Sequence, residues 1–442
     1  MNDTNNKIKL GLERMTSLCS RLGDPQNKIK TIHVAGTNGK GSFSAVLAQI
    51  LKEAGYKTGS FSSPGITDIA DCFHIDCKII SYEELSDTFD ILAPYSDIDT
   101  DDPPTEFECL TAAAFIAFER NNCDIAIVEC GLGGDGDATN VIDSPVLSVI
   151  TDIDLDHMAY LGNTIKEITS HKAGIIKPGR PVLYSGNNKD ALEVISERAA
   201  ELNSPLYITD KSCLRAVSHS LKGTVLRHDV MGELKTPLLG TYQTDNIANV
   251  LTAVDILRKE GLDIPENAVI AGLKNVRWHG RFEVLSESPL IIFDGAHNPA
   301  GITRAAESIE TYFDDKITLL IGVMADKDYK VYPGILGKYT DKAIVVSAPS
   351  SRGLNCQYLA EEFEKCGINT EAYDSMYYSI RRALQNSEEK NIPLVILGSL
   401  YLYSKVTNML KYSFKFDLPE GVIIPKDTEK LMEHYSKRKS SK

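Results

Sequence analysis

The chain has 442 residues, of which 43% are hydrophobic and 24% are charged, and its formal net charge is −14. This length predicts two or three domains, because single cores rarely grow beyond roughly 250–300 residues. The acidic balance argues against a nucleic-acid partner, which requires a basic face, and no apolar run reaches the roughly 18 residues of a membrane helix. Nine scattered cysteines fit a reducing compartment better than a disulfide framework, so we expect a cytoplasmic protein.

Strand-like runs alternate with helical periods over the first 285 residues, which is the pattern of an α/β fold. The predicted strands are 30–36, 123–130, 145–153 and 180–186. Helices are predicted from Ser42 to a glycine stop at Gly55, and around 107–120, 164–173, 189–202 and 245–259. The range 219–240 alternates polar and apolar residues between glycine turns, so it predicts a small antiparallel sheet.

A second α/β block is predicted to begin near residue 285. It contains "LIIFDGAHNPAGI", which is a strand followed by the start of a helix, then the strands "ITLLIGVM" and "KAIVVSAPSS", and it closes with "PLVILGSLYLYSKV". We place the boundary in "SESP" at 286–289. The predicted organisation is a domain over 1–285, a second domain over 286–430, and a basic, solubilising tail over 431–442.

The segment "HVAGTNGKGS" at 33–42 links the first predicted strand to the first long helix. A glycine-rich turn in this position exposes backbone N–H groups at the positive end of a helix dipole and binds phosphate. A lysine there reaches the β- and γ-phosphates, and a following hydroxyl binds magnesium. The usual pattern is not matched, since Val34 occupies its first glycine position and Gly41 follows the lysine. The sequence predicts a nucleotide-binding loop made of Gly36, Thr37, Asn38, Gly39, Lys40, Gly41 and Ser42, with an ordinary glycine turn as the alternative.

The variant "GTNGKGS" resembles the loop of the ATP-dependent Mur ligase superfamily. The flanking "GLERMTSLCSRLGDPQNKIKTIHVA" resembles the start of folylpolyglutamate synthases and their bifunctional dihydrofolate synthase relatives. Further segments follow in family order over almost the whole chain: "FSSP", "PTEFECLTAAAF", "VECGLGG", "DATN", "LDHMAYLG", "HKAGIIKPG", "DNIANVLTA", "HGRFE", "DGAHNPAGI", "MADKD" and "GSLYLYSKV".

The resemblance implies an α/β fold with a P-loop-containing, Mur-ligase-like central ATPase domain and a smaller, Rossmann-like C-terminal domain. It implies a monomeric ligase that activates a carboxylate with ATP as an acyl phosphate and joins it to the amino group of L-glutamate. The acceptor would be a reduced folate or dihydropteroate, and the products would include ADP and phosphate. The implied cofactor is Mg²⁺, with two ions expected.

The resemblance assigns Ser42, Ser63 and Glu129 to the first magnesium. Glu129 ends the strand "DIAIV", where a carboxylate is delivered beside the phosphate loop. Magnesium prefers oxygen ligands, so these residue types fit the ion. The alternatives are a solvated acid at a strand end for Glu129 and a turn serine for Ser63.

His157 and Lys172 match the second metal position of the family, in which the lysine is carboxylated by CO₂. A carbamate turns this cation into an anionic oxygen ligand, and only a neutral lysine reacts with CO₂. Lys172 has another reading, because Thr164 and Glu167 form a capping box and Gly174 ends the helix. A lysine in the last turn of a helix is favourable against the dipole without further function. With Lys40 and Glu129, these two residues form the implied catalytic set.

The family positions that contact the nucleotide correspond to Asn246, Arg281, Asp294 and His297, and His297 has acceptor glutamate as its alternative ligand. The folate or other acceptor is expected near Glu106, Phe107 and Asp135. Since these residues come from both domains, catalysis would require the domains to close around ATP and exclude water.

Four departures from the family pattern are present, and most of the altered residues cluster in the loop after the second strand and in the loop after Glu129. Gly65 follows Pro64 in place of a histidine, Cys72 and Asp135 stand where the family has arginines, and Met158 replaces a threonine; Gly136 also replaces a leucine. Unit charges a few ångströms apart interact by about 1 to 4 kcal/mol, so replacing an arginine by an aspartate next to an anion site weakens anion binding by an energy of this order. We therefore expect ATP chemistry to be kept and acceptor recognition to be altered.

Three other functions fit fewer of these features. The first is a paralogous amide ligase with a different carboxylate acceptor, and the second is a nucleotide- or folate-binding relative without turnover. The third is an unrelated P-loop kinase, which would leave phosphate on its product, whereas a ligase releases phosphate free.

Overall fold

The structure is a computed structural model that describes residues 9–96 and 102–424. The predicted basic tail over 431–442 lies outside these residues. The chain forms two α/β regions, each built on a mainly parallel sheet, and a three-stranded antiparallel sheet packs on the first region. Within the described ranges, no helix combines the length and the apolar character that a membrane crossing requires.

Eight strands form the central sheet of the first region. They are β1 (Lys30–Ala35), β2 (Thr58–Phe61), β3 (Phe73–Ile75), β4 (Lys78–Ile79), β5 (Ile125–Glu129), β6 (Leu147–Ile150), β7 (Val182–Tyr184) and β8 (Leu206–Ile208). Their order in the sheet is β4-β3-β2-β5-β1-β6-β7-β8. The six strands from β2 to β8 in that order pair in parallel, and β3 and β4 add an antiparallel edge.

Nine helices within the described residues cover this sheet. They are α1 (Glu13–Arg21), α2 (Lys40–Glu53), α3 (Tyr82–Ser96), α4 (Glu106–Arg120), α5 (Met158–Leu161), α6 (Ile165–Ala173), α7 (Lys189–Glu201), α8 (Gln243–Lys259) and α9 (Glu266–Asn275). Apolar residues of α2, α8 and α9 form one core with β1, and those of α1, α3 and α4 form another with β5. Since central strands are buried on both faces, the strands read as continuous apolar runs such as "IAIV".

The predicted antiparallel sheet is present as β9 (Leu214–Ser220), β10 (Gly223–His228) and β11 (Gly232–Thr236). Its inward leucines join the core of α2, α8 and α9. The predicted end of α2 is also observed, because Gly55 follows the helix with φ +93°, a conformation that glycine adopts without strain. The predicted capping box of α6 is formed by Thr164 and Glu167.

The second region contains a six-stranded sheet of order β12-β13-β17-β14-β15-β16. Its elements in chain order are β12 (Glu283–Glu287), β13 (Leu290–Phe293), α10 (Pro299–Tyr312), β14 (Ile317–Ile321), α11 (Tyr332–Leu336), β15 (Thr340–Val346), α12 (Cys356–Lys365), β16 (Thr370–Tyr373), α13 (Met376–Lys390), β17 (Leu394–Leu397) and α14 (Tyr401–Tyr412). Helices α10, α11 and α12 cover one face, and α13 and α14 cover the other. Residue 286, our sequence-based boundary, lies inside β12, so this sheet begins three residues earlier.

Several polar contacts join the two regions along a shared crevice, and three of them lie near the ends of β1, β6 and β13. Asn298 Nδ2 donates to Asn38 Oδ1 at 3.1 Å, and the Arg304 guanidinium pairs with Asp152 at 3.1 Å. Tyr242 OH donates to Asp294 Oδ2 at 2.6 Å. The carboxyl ends of β1, β5 and β6 therefore face the end of β13 and the start of α10. In open α/β sheets, ligands bind at this edge.

Candidate active site

The phosphate loop between β1 and α2 needs glycine at three positions for reasons of space and conformation. Gly36 has φ +147°, and a Cβ there would overlap Thr151 Oγ1. Gly39 has φ +88°, and a Cβ on it would lie 2.8 Å from the amide oxygen of Asn246. A Cβ on Gly41 would lie 2.7 Å from the indole of Trp278. Bare backbone thus lets the loop approach its own protein neighbours closely.

Lys40, the first residue of α2, lies over this loop. Its Nζ donates to the carbonyl oxygens of Gly36 at 3.0 Å and Thr37 at 3.3 Å, and lies 3.7 Å from Glu129 Oε1. In the parallel pairing of β1 with β5, Glu129 lies beside Val34. The phosphate loop that carries Lys40 and the carboxylate of Glu129 therefore lie at the ends of adjacent strands. Glu129 is 6% exposed, and burial raises its pKa although Lys40 and Arg281 oppose this.

The predicted first-metal residues all line the crevice, together with the loop. Ser42 Oγ accepts a hydrogen bond from Gln243 Nε2 at 3.2 Å, and Ser63 follows β2. Among the described residues, no three His, Cys, Asp or Glu side chains are grouped as a metal site. A hard cation here would therefore need oxygens beyond Glu129 and the serine hydroxyls, as Mg²⁺ commonly takes from substrate phosphates and water.

Lys172 is buried rather than placed on the surface of α6. It is 4% exposed, and its Nζ donates to the carbonyl oxygen of Gly36 at 2.8 Å, beneath the phosphate loop. Burial and the neighbouring Lys40 charge lower the pKa of Lys172 to about 7. The capped-helix interpretation is correct for the helix ends. It does not explain why the lysine side chain is buried against the carbonyl oxygen of Gly36.

An acid that sequence reasoning missed connects the two regions. Asp156 accepts a hydrogen bond from Lys327 Nζ at 2.6 Å, and its Oδ2 lies 4.0 Å from Nε2 of both His157 and His297. Although burial opposes the change, His157 and Lys327 lower the pKa of Asp156 below its usual range. The signal was available, because Asp156 lies in "LDHM" and Lys327 lies in "MADKD", two segments we had singled out.

His297 has a defined tautomer within this group. Its Nδ1 donates to the carbonyl oxygen of Gly295 at 2.8 Å, which leaves Nε2 as an acceptor in the neutral ring. Burial and Lys327 lower the pKa of His297 to about 4, so the neutral ring predominates at pH 7. His157 has φ +53° and presents a side chain that is 41% exposed.

The predicted nucleotide residues also line the crevice. Asp294 is 2% exposed and accepts from Tyr242 OH, from Phe282 N at 3.0 Å and from Ala296 N at 2.8 Å, so it also ties the regions together. Arg281 is close enough to oppose the burial that raises the pKa of Asp294. Asn246 Nδ2 donates to Gln243 Oε1 at 2.9 Å.

Two buried polar atoms of crevice residues make no hydrogen bond among the described residues: Asn38 Nδ2, a donor, and Asn249 Oδ1, an acceptor. Buried polar atoms are paired in most cases, so these two indicate a polar ligand. The crevice has a volume of about 500 Å³, within the usual range of ligand sites.

The predicted acceptor residues separate in the structure. Glu106 and Phe107, at the start of α4, line the crevice, and the Phe107 ring lies 6.0 Å from that of Phe61. A Cβ on Gly131 would lie 2.5 Å from the Phe107 ring, so the two segments pack tightly. Asp135 is not among the residues that line the crevice, and its carboxylate instead pairs with His171 at 2.9 Å.

The other altered loop is organised by its own residues. A Cβ on Gly65 would overlap the carbonyl oxygen of Asp68, so only glycine fits this turn. Asp71 accepts from Thr67 N and Thr67 Oγ1, both at 2.6 Å. Cys72 is 3% exposed in the core with α4, and burial raises the pKa of its thiol to about 12.

Comparisons with known proteins agree over both regions. The Mur ligase middle domain matches residues 34–256, and the Mur ligase glutamate ligase domain matches residues 280–400. A dihydrofolate synthase/folylpolyglutamate synthase of Bacillus subtilis is 34% identical over 91% of this chain and 96% of that protein. A folylpolyglutamate synthase of Lacticaseibacillus casei is 34% identical over 90% of this chain and 94% of that protein. The Mycobacterium tuberculosis folylpolyglutamate synthase complexed with ADP and AMPPCP has a TM-score of 0.84 at 28% identity, covering 92% and 96% of the chains.

A phosphate loop with a lysine, a buried acid at the neighbouring strand end, and a second α/β region closing over both define an ATP-dependent ligase of the Mur class. The expected fold class is therefore confirmed. Within that class, the chain belongs to the folylpolyglutamate synthase/dihydrofolate synthase family.

Proposed function

We propose that this ligase transfers the γ-phosphoryl group of ATP to a folate carboxylate and then joins the acyl group to L-glutamate. The carboxylate oxygen attacks the γ-phosphorus, and ADP leaves. The glutamate amine then attacks the acyl carbon, loses a proton and displaces phosphate. The observation that carries this proposal is the meeting of Lys40 and Glu129 with residues of the second region in one crevice, with Lys172 buried beneath the phosphate loop.

The nucleotide end is the phosphate loop and the start of α2. Backbone N–H groups at the helix start and the Lys40 ammonium would hold the phosphates in line for attack. The unpaired atoms Asn38 Nδ2 and Asn249 Oδ1 would gain partners from the nucleotide, and Asn246, Arg281 and Asp294 lie on the same crevice. A magnesium ion on Glu129, Ser63 and Ser42 would supply positive charge to the transferring phosphoryl group.

Lys172 is proposed to act as a carbamate. A burial-lowered pKa of about 7 leaves much of this lysine neutral at physiological pH, which is the form that reacts with CO₂. Its place beneath Gly36 suits a carbamate oxygen for a second cation near the phosphate loop. His157 would be a further ligand of that cation, as the family implies, although imidazole is an uncommon magnesium ligand.

The incoming L-glutamate, which supplies the amine, is proposed to bind between Asp156, His297 and Lys327. Lys327 offers a cation for a glutamate carboxylate, and Asp156 offers an anion near the incoming ammonium group. The free Nε2 of His297 accepts a hydrogen bond from the amine, since Nδ1 is committed to Gly295. This group brings the nucleophile from the second region while the phosphate loop holds ATP on the first.

The folate or dihydropteroate is proposed to lie beside Glu106 and Phe107. The Phe107 ring offers a face on which a planar pterin or aminobenzoate ring can stack. We also propose a cytoplasmic location, because nine scattered cysteines fit a reducing compartment better than a disulfide framework. We also propose that the enzyme works as a monomer, because residues from the one chain line the crevice on both sides.

The test is ADP release with Mg-ATP and L-glutamate, run in parallel with dihydropteroate and with tetrahydrofolate, and with products identified by mass. A gain of one glutamate residue on either acceptor supports the proposal and identifies which one is used. ADP release without that gain on either acceptor would favour a ligase for another carboxylate. Nucleotide binding without ADP release would contradict turnover on folates.

A further inference from the structure

The charge reversal at residue 135 has a partner on α6. Asp135 stands where the family has arginine, and both of its carboxylate oxygens accept from His171 Nδ1, at 3.0 and 2.9 Å. Asp135 belongs to the segment 131–137, which directly follows Glu129. His171 lies in the last turn of α6, immediately before Lys172. The pair therefore joins the segment that follows the strand ending at Glu129 to the helix that carries Lys172.

These two segments pack at backbone distance. A Cβ on Gly134 would lie 2.6 Å from the carbonyl oxygen of His171 and 2.8 Å from that of Lys172. A Cβ on Gly174 would overlap the Cβ of Asp135. Glycine at both positions lets segment 131–137 lie directly on the carboxyl end of α6, so displacement of one would move the other.

Backbone groups already hold the segments together. Asp135 N donates to the carbonyl oxygen of His171 at 2.8 Å, and Asn140 Nδ2 donates to the carbonyl oxygens of Asp135 at 3.1 Å and Gly174 at 3.3 Å. The Asp135–His171 side-chain pair adds a charge-assisted contact on the outside of this junction. Since its side chains are 51% and 34% exposed, the pair contributes little to global stability. A larger effect of the pair would therefore be on the local orientation of the carboxyl end of α6.

We propose that Asp135 and His171 are positioning residues that hold the carboxyl end of α6 so that Lys172 Nζ stays against Gly36. In this role the aspartate does not repel the folate, because its carboxylate is hydrogen-bonded to the imidazole of His171 outside the crevice. The family arginine cannot be restored alone, since a cation at residue 135 would face the donor Nδ1 of His171. This inference rests on the proposed role of Lys172 in turnover.

The experiment compares kcat for the full chain and for Asp135→Ala, Asp135→Arg, His171→Ala, His171→Glu and the double swap Asp135→Arg/His171→Glu. Each single change is expected to lower kcat about threefold to tenfold, the range expected for loss of one charge-assisted hydrogen bond, with KM for ATP nearly unchanged. The double swap recreates an ion pair of opposite polarity and is expected to return kcat to within about twofold of the native value.

Lys166→Ala is the matched control, because Lys166 lies on the same helix and pairs with Glu193 on α7 at 2.7 Å, outside the crevice. It should leave kcat unchanged. His171→Gln keeps a donor for Asp135 and should retain most of the kcat that His171→Ala loses. The proposal is overturned if Asp135→Ala matches Lys166→Ala in kcat, if the double swap is no better than the weaker single variant, or if His171→Gln loses as much as His171→Ala.

A second readout does not depend on turnover. Hydrogen exchange should accelerate at the amides of Gly174 and Ile175, which bond to the carbonyl oxygens of His171 and Lys172 at 3.2 and 3.3 Å, in Asp135→Ala but not in Lys166→Ala. Unchanged exchange in Asp135→Ala would overturn the positioning role. If the native chain forms no glutamylated product, the proposed function fails, while the exchange result still decides this inference.

Discussion

At the nucleotide end of the crevice, Gly36, Gly39 and Lys40 are held by the termini of β1 and α2. By contrast, Gly65, Asp71 and Cys72 belong to the loop after β2, whose polar contacts are largely internal. A strand end and a helix start offer backbone groups whose direction follows from the fold, so few side-chain choices are open there. A loop can replace several side chains together, provided that the replacements pack on one another.

The same contrast explains where this chain departs from its family. In the loop after β2, where the resemblance implies polar and basic residues, the chain has Asp71, a helix-capping acid, and Cys72, a core thiol. In the loop after β5, where the resemblance implies an arginine, it has Asp135, which pairs with His171. Asp71, Cys72 and Asp135 therefore serve local packing, helix capping and pairing within the protein.

Lys40→Ala should nearly abolish turnover. Its ammonium is the cation closest to Glu129 in the phosphate loop, and loss of a preorganised charge at a transferring phosphoryl group costs about a hundredfold to a thousandfold in kcat. ADP release with saturating glutamate and folate measures the loss. Lys52→Ala is the control, because Lys52 also lies on α2 but donates to the carbonyl oxygen of Asp76 at 3.1 Å, away from the crevice. Equal activities of the two variants would contradict the assignment of the nucleotide end.

Lys172→Arg should lower kcat about a hundredfold, because an arginine stays charged and cannot form a carbamate. For the native enzyme, activation by bicarbonate should rise with pH through about 7, where the lysine loses its proton. The direction follows from the lowered pKa, because the folded state disfavours the protonated lysine. Burial of this group therefore destabilises the fold at low pH, and the penalty falls as pH rises from about 7 towards the ordinary pKa of lysine. Activity that is independent of bicarbonate across this pH range would rule out the carbamate.

The nucleotide end was largely predictable from sequence because its signals are local. The strand before Gly36, the helix up to Gly55 and the capping box of Thr164 and Glu167 all depend on residues a few positions apart. Helices α12 and α13 were missed, since each has polar residues over most of its surface and only a narrow buried face.

The group around Asp156 was harder to predict, because its members are brought together by the packing of two regions. Lys327 lies 171 residues beyond Asp156 in the chain, and no periodicity links them. The orientation of the Asp135 side chain could not be predicted from sequence either. It depends on Gly134 and Gly174, which have no Cβ and so let segment 131–137 pack against the end of α6. Sequence reasoning expected this carboxylate at the acceptor, whereas its side chain bonds to His171 outside the crevice lining.

Cys72→Arg, which restores the family residue, should destabilise the fold rather than improve acceptor binding. The thiol is 3% exposed and packs in the core with α4, so the larger guanidinium would be desolvated and would overfill this core, at a cost of about 2–3 kcal/mol in the free energy of unfolding. Urea unfolding measures this, and Cys366→Arg on the exposed end of α12 is the control, with a change of about 0.5 kcal/mol or less. A gain in folate affinity with native stability would show that the loop turns toward the acceptor.

The smallest effect is expected at the contact between the two regions. Arg304 on α10 pairs with Asp152 at 3.1 Å and with Asp245 at 3.7 Å, and its side chain is 29% exposed. Such a partly exposed pair is worth about 0.5–1 kcal/mol, so Arg304→Ala should raise KM for ATP about twofold to fivefold while kcat changes little. Because screening weakens exposed pairs, added salt should shift the native KM towards that of the variant. A fall in kcat like that of Lys40→Ala would instead place Arg304 at the reacting groups, so that the contact between regions would belong to the chemistry rather than to closure alone.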